Sequence, residues 1–285
     1  MAYVAASSMK HALLLAALLI VPLSAHPDPR HTLEELDAHL LEKPGDTELL
    51  LRKADMLLLT KQLPAAAEIA AKLLETDPDH AEVLLLDARV SLGQGKHEEA
   101  ATKARSLTAR HPRSEAAWKF LARAEEAGGH RPEAIAAMRK HIAIAPKPGP
   151  GDALLCATWL QESGDPSAAV TILDQCLAKV GCLSGLQHKA IGIEMELERY
   201  DSALRRIDAL EGRFRPAIDL SLKRAEILEK AGRFSEAASA CDSALALLDA
   251  LPSSRKRGEA YQQHVDLVTT KKAENERKAG ETRNR

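Results

Sequence analysis

Residues able to do chemistry are present in this chain of 285 residues but are not grouped for it. No His-Glu-x-x-His, Cys-x-x-Cys-His or Gly-x-Ser-x-Gly run occurs, so zinc-hydrolase, haem-attachment and nucleophile-elbow chemistries have no footing. Gly93-Gln94-Gly95-Lys96 looks like a phosphate loop, yet His97 follows where a Ser or Thr would hold magnesium. Eleven histidines are scattered. Next to a freshly cut N-terminus, His26 and His31 could bind copper together with the free amine, but no third ligand can be argued. The cysteines Cys156, Cys176, Cys182 and Cys241 stand 20, 6 and 59 residues apart, which matches no zinc pattern. The sequence therefore implies no catalytic residue, no metal and no cofactor.

The elements that carry these residues follow from a period. Pro78, Pro112 and Pro146 recur at a step of 34, and Ala66, Ala100, Ala134, Ala169, Ala203 and Ala237 recur at steps of 34, 34, 35, 34 and 34. Such a period belongs to a two-helix unit repeated in an array. Small residues are needed where antiparallel helices cross closely, and a second alanine series, Ala54, Ala88, Ala122, Ala157 and Ala225, supplies them, with Ile191 or Ala190 in the fifth unit. Gly95, Gly128, Gly164 and Gly232 suit the turn inside a unit because glycine tolerates positive φ. Proline ends the second helix, since it lacks an N–H and disfavours helix in the residue before it.

In the unit beginning at Glu115, the residues Trp118, Leu121, Ala122, Gly128-Gly129, Ala134 and Met138 resemble the W-x2-L-G-x2-Y…A pattern of the tetratricopeptide repeat family, with Ala for Gly and Glu125 for Tyr. Residues 199–204 and 232–237 are similar to that family's turn and second-helix start. The resemblance implies an all-α fold, a right-handed α-solenoid of about six helix-turn-helix repeats over 46–252. Their expected bounds are about 47–80, 81–114, 115–149, 150–183, 184–217 and 218–252, with an N-terminal flanking helix over 26–45 and a capping helix and basic polar tail over 253–285. Low aromatic content and abundant Ala and Leu agree with helices packed on one another. Residues 147–151, with two prolines and two glycines, are expected to interrupt the array as a longer loop.

Residues 1–25 read as a signal peptide, with Lys10 and His11, an uncharged run from Ala12 to Val21 and small residues up to Ala25. The apolar run is shorter than the ~20 residues a membrane span requires. Cleavage near Ala25 would export the chain, and an oxidising compartment would then allow a disulfide among Cys156, Cys176 and Cys182, while Cys241 reads as a small core residue. Thr32 and Glu35 form a capping box expected to open the first helix. Residues 26–252 hold 29 Lys or Arg against 36 Asp or Glu, and residues 253–285 hold nine against five. The C-terminal excess is expected to be a solvated, frayed tail behind a helix whose apolar face is Ala260, His264, Val265 and Val268. No aromatic residue follows Tyr261, so no nucleic-acid partner is expected.

The resemblance places function on the groove lined by the first helix of each unit. Leu51, Leu58, Leu85 and Leu92 are its apolar residues, and Arg89, Lys119 and Arg123 form a basic strip suited to carboxylates or an acidic peptide. The expected partner is a protein or peptide, the expected role a non-catalytic exported scaffold. The alternative is an accessory or maturation factor for a secreted metalloenzyme, touching metal near His26.

Overall fold

A computed structural model describes residues 29–214 and 217–283, with the backbone alone for 29–32. The signal segment 1–25 and His26 lie outside these residues, as does the side chain of His31. Fourteen helices and no strand are present among the described residues. After α1 (Pro29–Glu42), first and second helices alternate: α2 (Thr47–Leu59) and α3 (Leu63–Thr76), α4 (Ala81–Gly93) and α5 (His97–Arg110), α6 (Glu115–Ala127) and α7 (Arg131–Ile144). The order continues with α8 (Pro150–Glu162) and α9 (Pro166–Val180), α10 (Ser184–Glu196) and α11 (Tyr200–Arg213), then α12 (Ile218–Lys230) and α13 (Phe234–Asp249), before α14 (Glu259–Arg283). The chain divides into two compact units, residues 1–95 with α1–α4 and residues 96–285 with α5–α14.

Alanine does the spacing. Ala54, Ala88, Ala122, Ala157 and Ala225 on the first helices and Ala66, Ala100, Ala134, Ala169, Ala203 and Ala237 on the second are all fully buried. In the fifth pair the step falls on Ile191, also buried. Because each of these buried alanine places is filled by no more than a methyl group, a larger side chain there would overpack its surroundings. Cohesion comes from the larger aliphatics. Leu73 and Leu86 in the first unit, and Ile142, Ile172, Leu173, Ile207 and Ile227 in the second, are buried, each contributing about 1.5–3 kcal/mol relative to exposure.

The turns show why the period is kept. Lys61, Gly95, Gly129, Gly164, Glu198 and Gly232 have φ of 60, 77, 83, 82, 57 and 72°, one left-handed residue per turn. Gly128, expected in this role, is right-handed at φ −78°. In five of these turns the residue after the left-handed one donates its N–H back five residues, Gln62 to Leu57, His130 to Glu125, Asp165 to Leu160, Arg199 to Glu194 and Arg233 to Leu228, at 2.8–2.9 Å. That bond closes the first helix and reverses the chain.

Three further expectations are corrected. The α1 helix opens at Pro29, so Thr32 lies within it and not at its cap. Pro150 and Gly151 belong to α8, because proline is tolerated at the first helical position with Gly149 as N-cap. The interruption is thus confined to residues 145–149, and Lys179 on α9 spans it by donating to the carbonyls of Ile142, Ala143 and Ala145 at 2.7–2.8 Å. Finally, helix continues to Arg283 where a frayed tail was expected. Val268 and Asn275 of α14 are buried while Ala260 and His264 are exposed, so the packed stripe runs through Tyr261, Val265, Val268 and Asn275. Lys272 pairs with Asp242 at 2.7 Å and Lys278 lies 5.6 Å above the Phe234 ring, seating α14 along α13.

Candidate binding face

In the N-terminal unit, α2 and α4 bring equivalent residues side by side. Leu51 and Leu85, Asp55 and Arg89, and Leu58 and Leu92 are each one period of 34 apart, and the leucines are half-buried. Arg89 Nη1 donates to Asp55 Oδ1 at 2.5 Å, fixing the two helices in this register. Glu48 and Glu82, a turn earlier and again 34 apart, are exposed, Glu48 accepting from Arg52 at 2.7 Å. The face is thus a ladder with an acidic rung, a leucine rung, an internally neutralised rung and a second leucine rung. Asp46 caps α2 by accepting from the Leu49 N–H at 3.1 Å, and Lys53 pairs with Asp37 of α1 at 2.5 Å.

Two of the three residues of the expected basic strip are occupied from within. Arg89 is committed to Asp55 as above, and in the C-terminal unit Lys119 of α6 donates to Asp152 of α8 at 2.7 Å. Asp152, nearly buried, also lies 3.3 Å from His141 Nε2, whose Nδ1 faces the Glu115 carbonyl at 3.0 Å. Arg123 is exposed. On α8, Thr158 and Leu154 are half-buried, and Gln161 reaches Glu196 of α10 at 3.2 Å. On the last first-helix, Glu229 is held by Asn275 at 2.6 Å and Lys271 at 3.4 Å from α14, so this groove position is already covered by the chain itself.

Two buried carboxylates were not legible as such. Glu125 and Glu194 occupy equivalent places, where the family pattern has an aromatic residue, and both are almost fully buried. Arg105 grips Glu125 through two bonds of 2.6 and 2.8 Å, and Arg206 grips Glu194 at 2.8 and 3.0 Å while also binding Asp174 at 2.8 and 3.1 Å. Burial works against the Arg206 charge, but the bonds from Asp174 and Glu194 outweigh it and hold its pKa above the ordinary arginine value. These pairs tie successive helices. The turns are tied similarly, with His130 to Glu98 at 3.3 Å, Arg199 to Ser167 at 2.8 Å and Arg233 to Asp201 at 3.0 Å, each 32 residues apart.

Among the described residues, no group of three or more His, Cys, Asp or Glu is placed to hold a metal ion. The four cysteines stand as free thiols, Cys156, Cys176 and Cys241 buried and Cys182 partly exposed. Burial pushes the Cys156 thiol up to about 11, against the opposing charge of Arg139. No described helix is long and apolar enough to cross a membrane.

The sequence profile of the tetratricopeptide repeat matches residues 85–149 and 193–254. Among solved structures, the chain is similar to the Pseudomonas aeruginosa pilF protein, at 18% identity and a TM-score of 0.48 over 70% of this chain and 91% of that one. A tetratricopeptide repeat protein from Parabacteroides merdae gives 15% identity and a TM-score of 0.43 over 85% and 93%. A thermophilic protein of the same repeat type from Thermus thermophilus gives 22% and 0.39 over 64% and 98%. No curated protein matches the chain significantly. The structural likenesses are too low to speak to function, and the assignment rests on the matched repeats together with the alternating helices and their buried alanine series. Residues 85–149 and 193–254 of this chain are tetratricopeptide repeats.

Proposed function

We propose that the chain is a non-catalytic scaffold, exported after cleavage near Ala25, that holds a protein or peptide partner against the exposed faces of its first helices. The observation that carries this reading is the α2–α4 ladder: Leu51, Leu58, Leu85 and Leu92 are large apolar side chains left half-exposed, whereas Ala54 and Ala88 on the same helices are fully buried. Repeat scaffolds of this fold commonly serve protein–protein interaction, and half-exposed leucines in register give a partner apolar area without rearrangement of the scaffold. Export is supported by the basic, apolar and small-residue order of residues 9–25.

Photo-crosslinking in the native host tests the binding face. A photoreactive residue at Leu85 should trap one partner at fixed stoichiometry, and the same residue at exposed Glu68 on α3 should trap none. Trapping only from α3 would overturn the reading. N-terminal sequencing of the native protein should find His26 first, and an uncleaved cytoplasmic chain would remove the export part.

A further inference from the structure

The acid excess of the chain is not spread along it. Residues 29–95 carry seven Lys or Arg against thirteen Asp or Glu, whereas residues 96–252 carry 22 of each. The division falls where the first compact unit ends. Within that unit the cations nearest the ladder are already neutralised: Arg89 by Asp55, Lys53 by Asp37 and Arg52 by Glu48. What the α2–α4 face offers a partner is therefore half-exposed leucine on a unit of net negative charge, with the Glu82 carboxylate exposed one turn before Leu85.

From this we infer that the N-terminal unit docks a basic amphipathic segment, one that presents apolar side chains to the leucine rungs and Lys or Arg to the acidic end of the face. The inference rests on the first-helix faces being the binding surface, and it reverses the charge expected of the partner from Arg89, Lys119 and Arg123. Charge complementarity decides between the two. An acidic segment would meet Asp55 and Arg89 as a neutral pair and a unit of net charge −6, so its like charge would oppose docking. A basic one is attracted over roughly the Debye length, about 10 Å at 0.1 M salt, and then buries its apolar side on the leucines.

The test uses the full chain and fluorescent 15-residue peptides read by anisotropy. One peptide carries a leucine face and a lysine face, a second replaces each lysine by glutamate, and a third keeps the lysines but replaces leucine by serine. The first should bind at least tenfold tighter than either of the others, weakening as salt rises. The substitution Glu82→Gln, exposed and away from the core, should weaken it several-fold and flatten the salt dependence. The control pair Glu68→Gln with Glu75→Gln on α3 should not. Equal loss from the α3 pair would show unspecific attraction to an acidic body and overturn the inference, as would tighter binding of the glutamate peptide. Should partners crosslink from Leu85 yet prove acidic, the docking chemistry falls while the scaffold reading stands. Absence of any crosslink from the first helices removes both.

Discussion

Replacing Glu198 by glycine should make the C-terminal unit more stable, although it deletes a side chain. Glu198 has φ 57° and is exposed at the turn between α10 and α11, where the equivalent residues Gly129, Gly164 and Gly232 have φ 72–83°. A side chain in the left-handed region costs about 1–2 kcal/mol. Glycine removes that strain but gives the unfolded chain more freedom, which takes back about 0.4–1 kcal/mol. The net gain for Glu198→Gly is about 0.5–1 kcal/mol. The converse, Gly129→Ala, should lose about 1 kcal/mol, and since a Cβ at Gly129 would meet nothing within 4 Å, that loss is purely a backbone effect. Both substitutions lie in the same compact unit. Urea unfolding followed by circular dichroism, with an unchanged dependence on urea, measures both. If Glu198→Gly lowers the midpoint, or Gly129→Ala leaves it unmoved, the left-handed register assigned to these turns is wrong.

Four other substitutions or treatments probe the remaining structure. Ala134→Phe should overpack the α6–α7 contact, where Ala122 and Ala134 are fully buried, and lower stability by about 1–3 kcal/mol in the same urea assay. Arg206→Ala should lose about 3–5 kcal/mol by stranding the Glu194 carboxylate, and combining it with Glu194→Leu should recover part of the loss in a double-mutant cycle. Lys179→Met removes three bonds to carbonyls at the end of α7 and should cost about 1–2 kcal/mol, the lysine being exposed to solvent screening. Thiol labelling of the native protein near pH 8 should modify Cys182 alone, because Cys156 ionises only near pH 11 and Cys176 and Cys241 are also shifted up by burial. Fast labelling of Cys156 would contradict its burial, and no labelling of Cys182 would indicate that it is bonded.

The fold class was legible because helix crossings and turns demand small residues at fixed places, and Ala66, Ala100 and Ala134 repeat with the period that this geometry imposes. What stayed hidden depends on contacts between residues far apart in the chain. Nothing local to Arg89 or Lys119 says that Asp55 and Asp152 neutralise them across 34 and 33 residues, so in the sequence the two read as part of a basic strip. Glu125 looked like a departure from the repeat pattern, and its burial makes sense only once Arg105, 20 residues earlier, is seen to reach it. The C-terminal helix looked soluble and frayed because its buried stripe is sparse, and Lys272 and Lys278 find their partners on α13. A finer count of charge would have located the acid excess before residue 96, since that needs only the sequence and the position of the turn at Gly95.

Amide hydrogen exchange on the native protein, alone and in complex with the partner trapped from Leu85, tests the scaffold claim most directly. Slowed exchange is predicted along the first helices, beginning with α2 and α4, with α3 unchanged. Protection confined to the second helices, or spread evenly over the chain, would contradict a partner held on the first-helix faces.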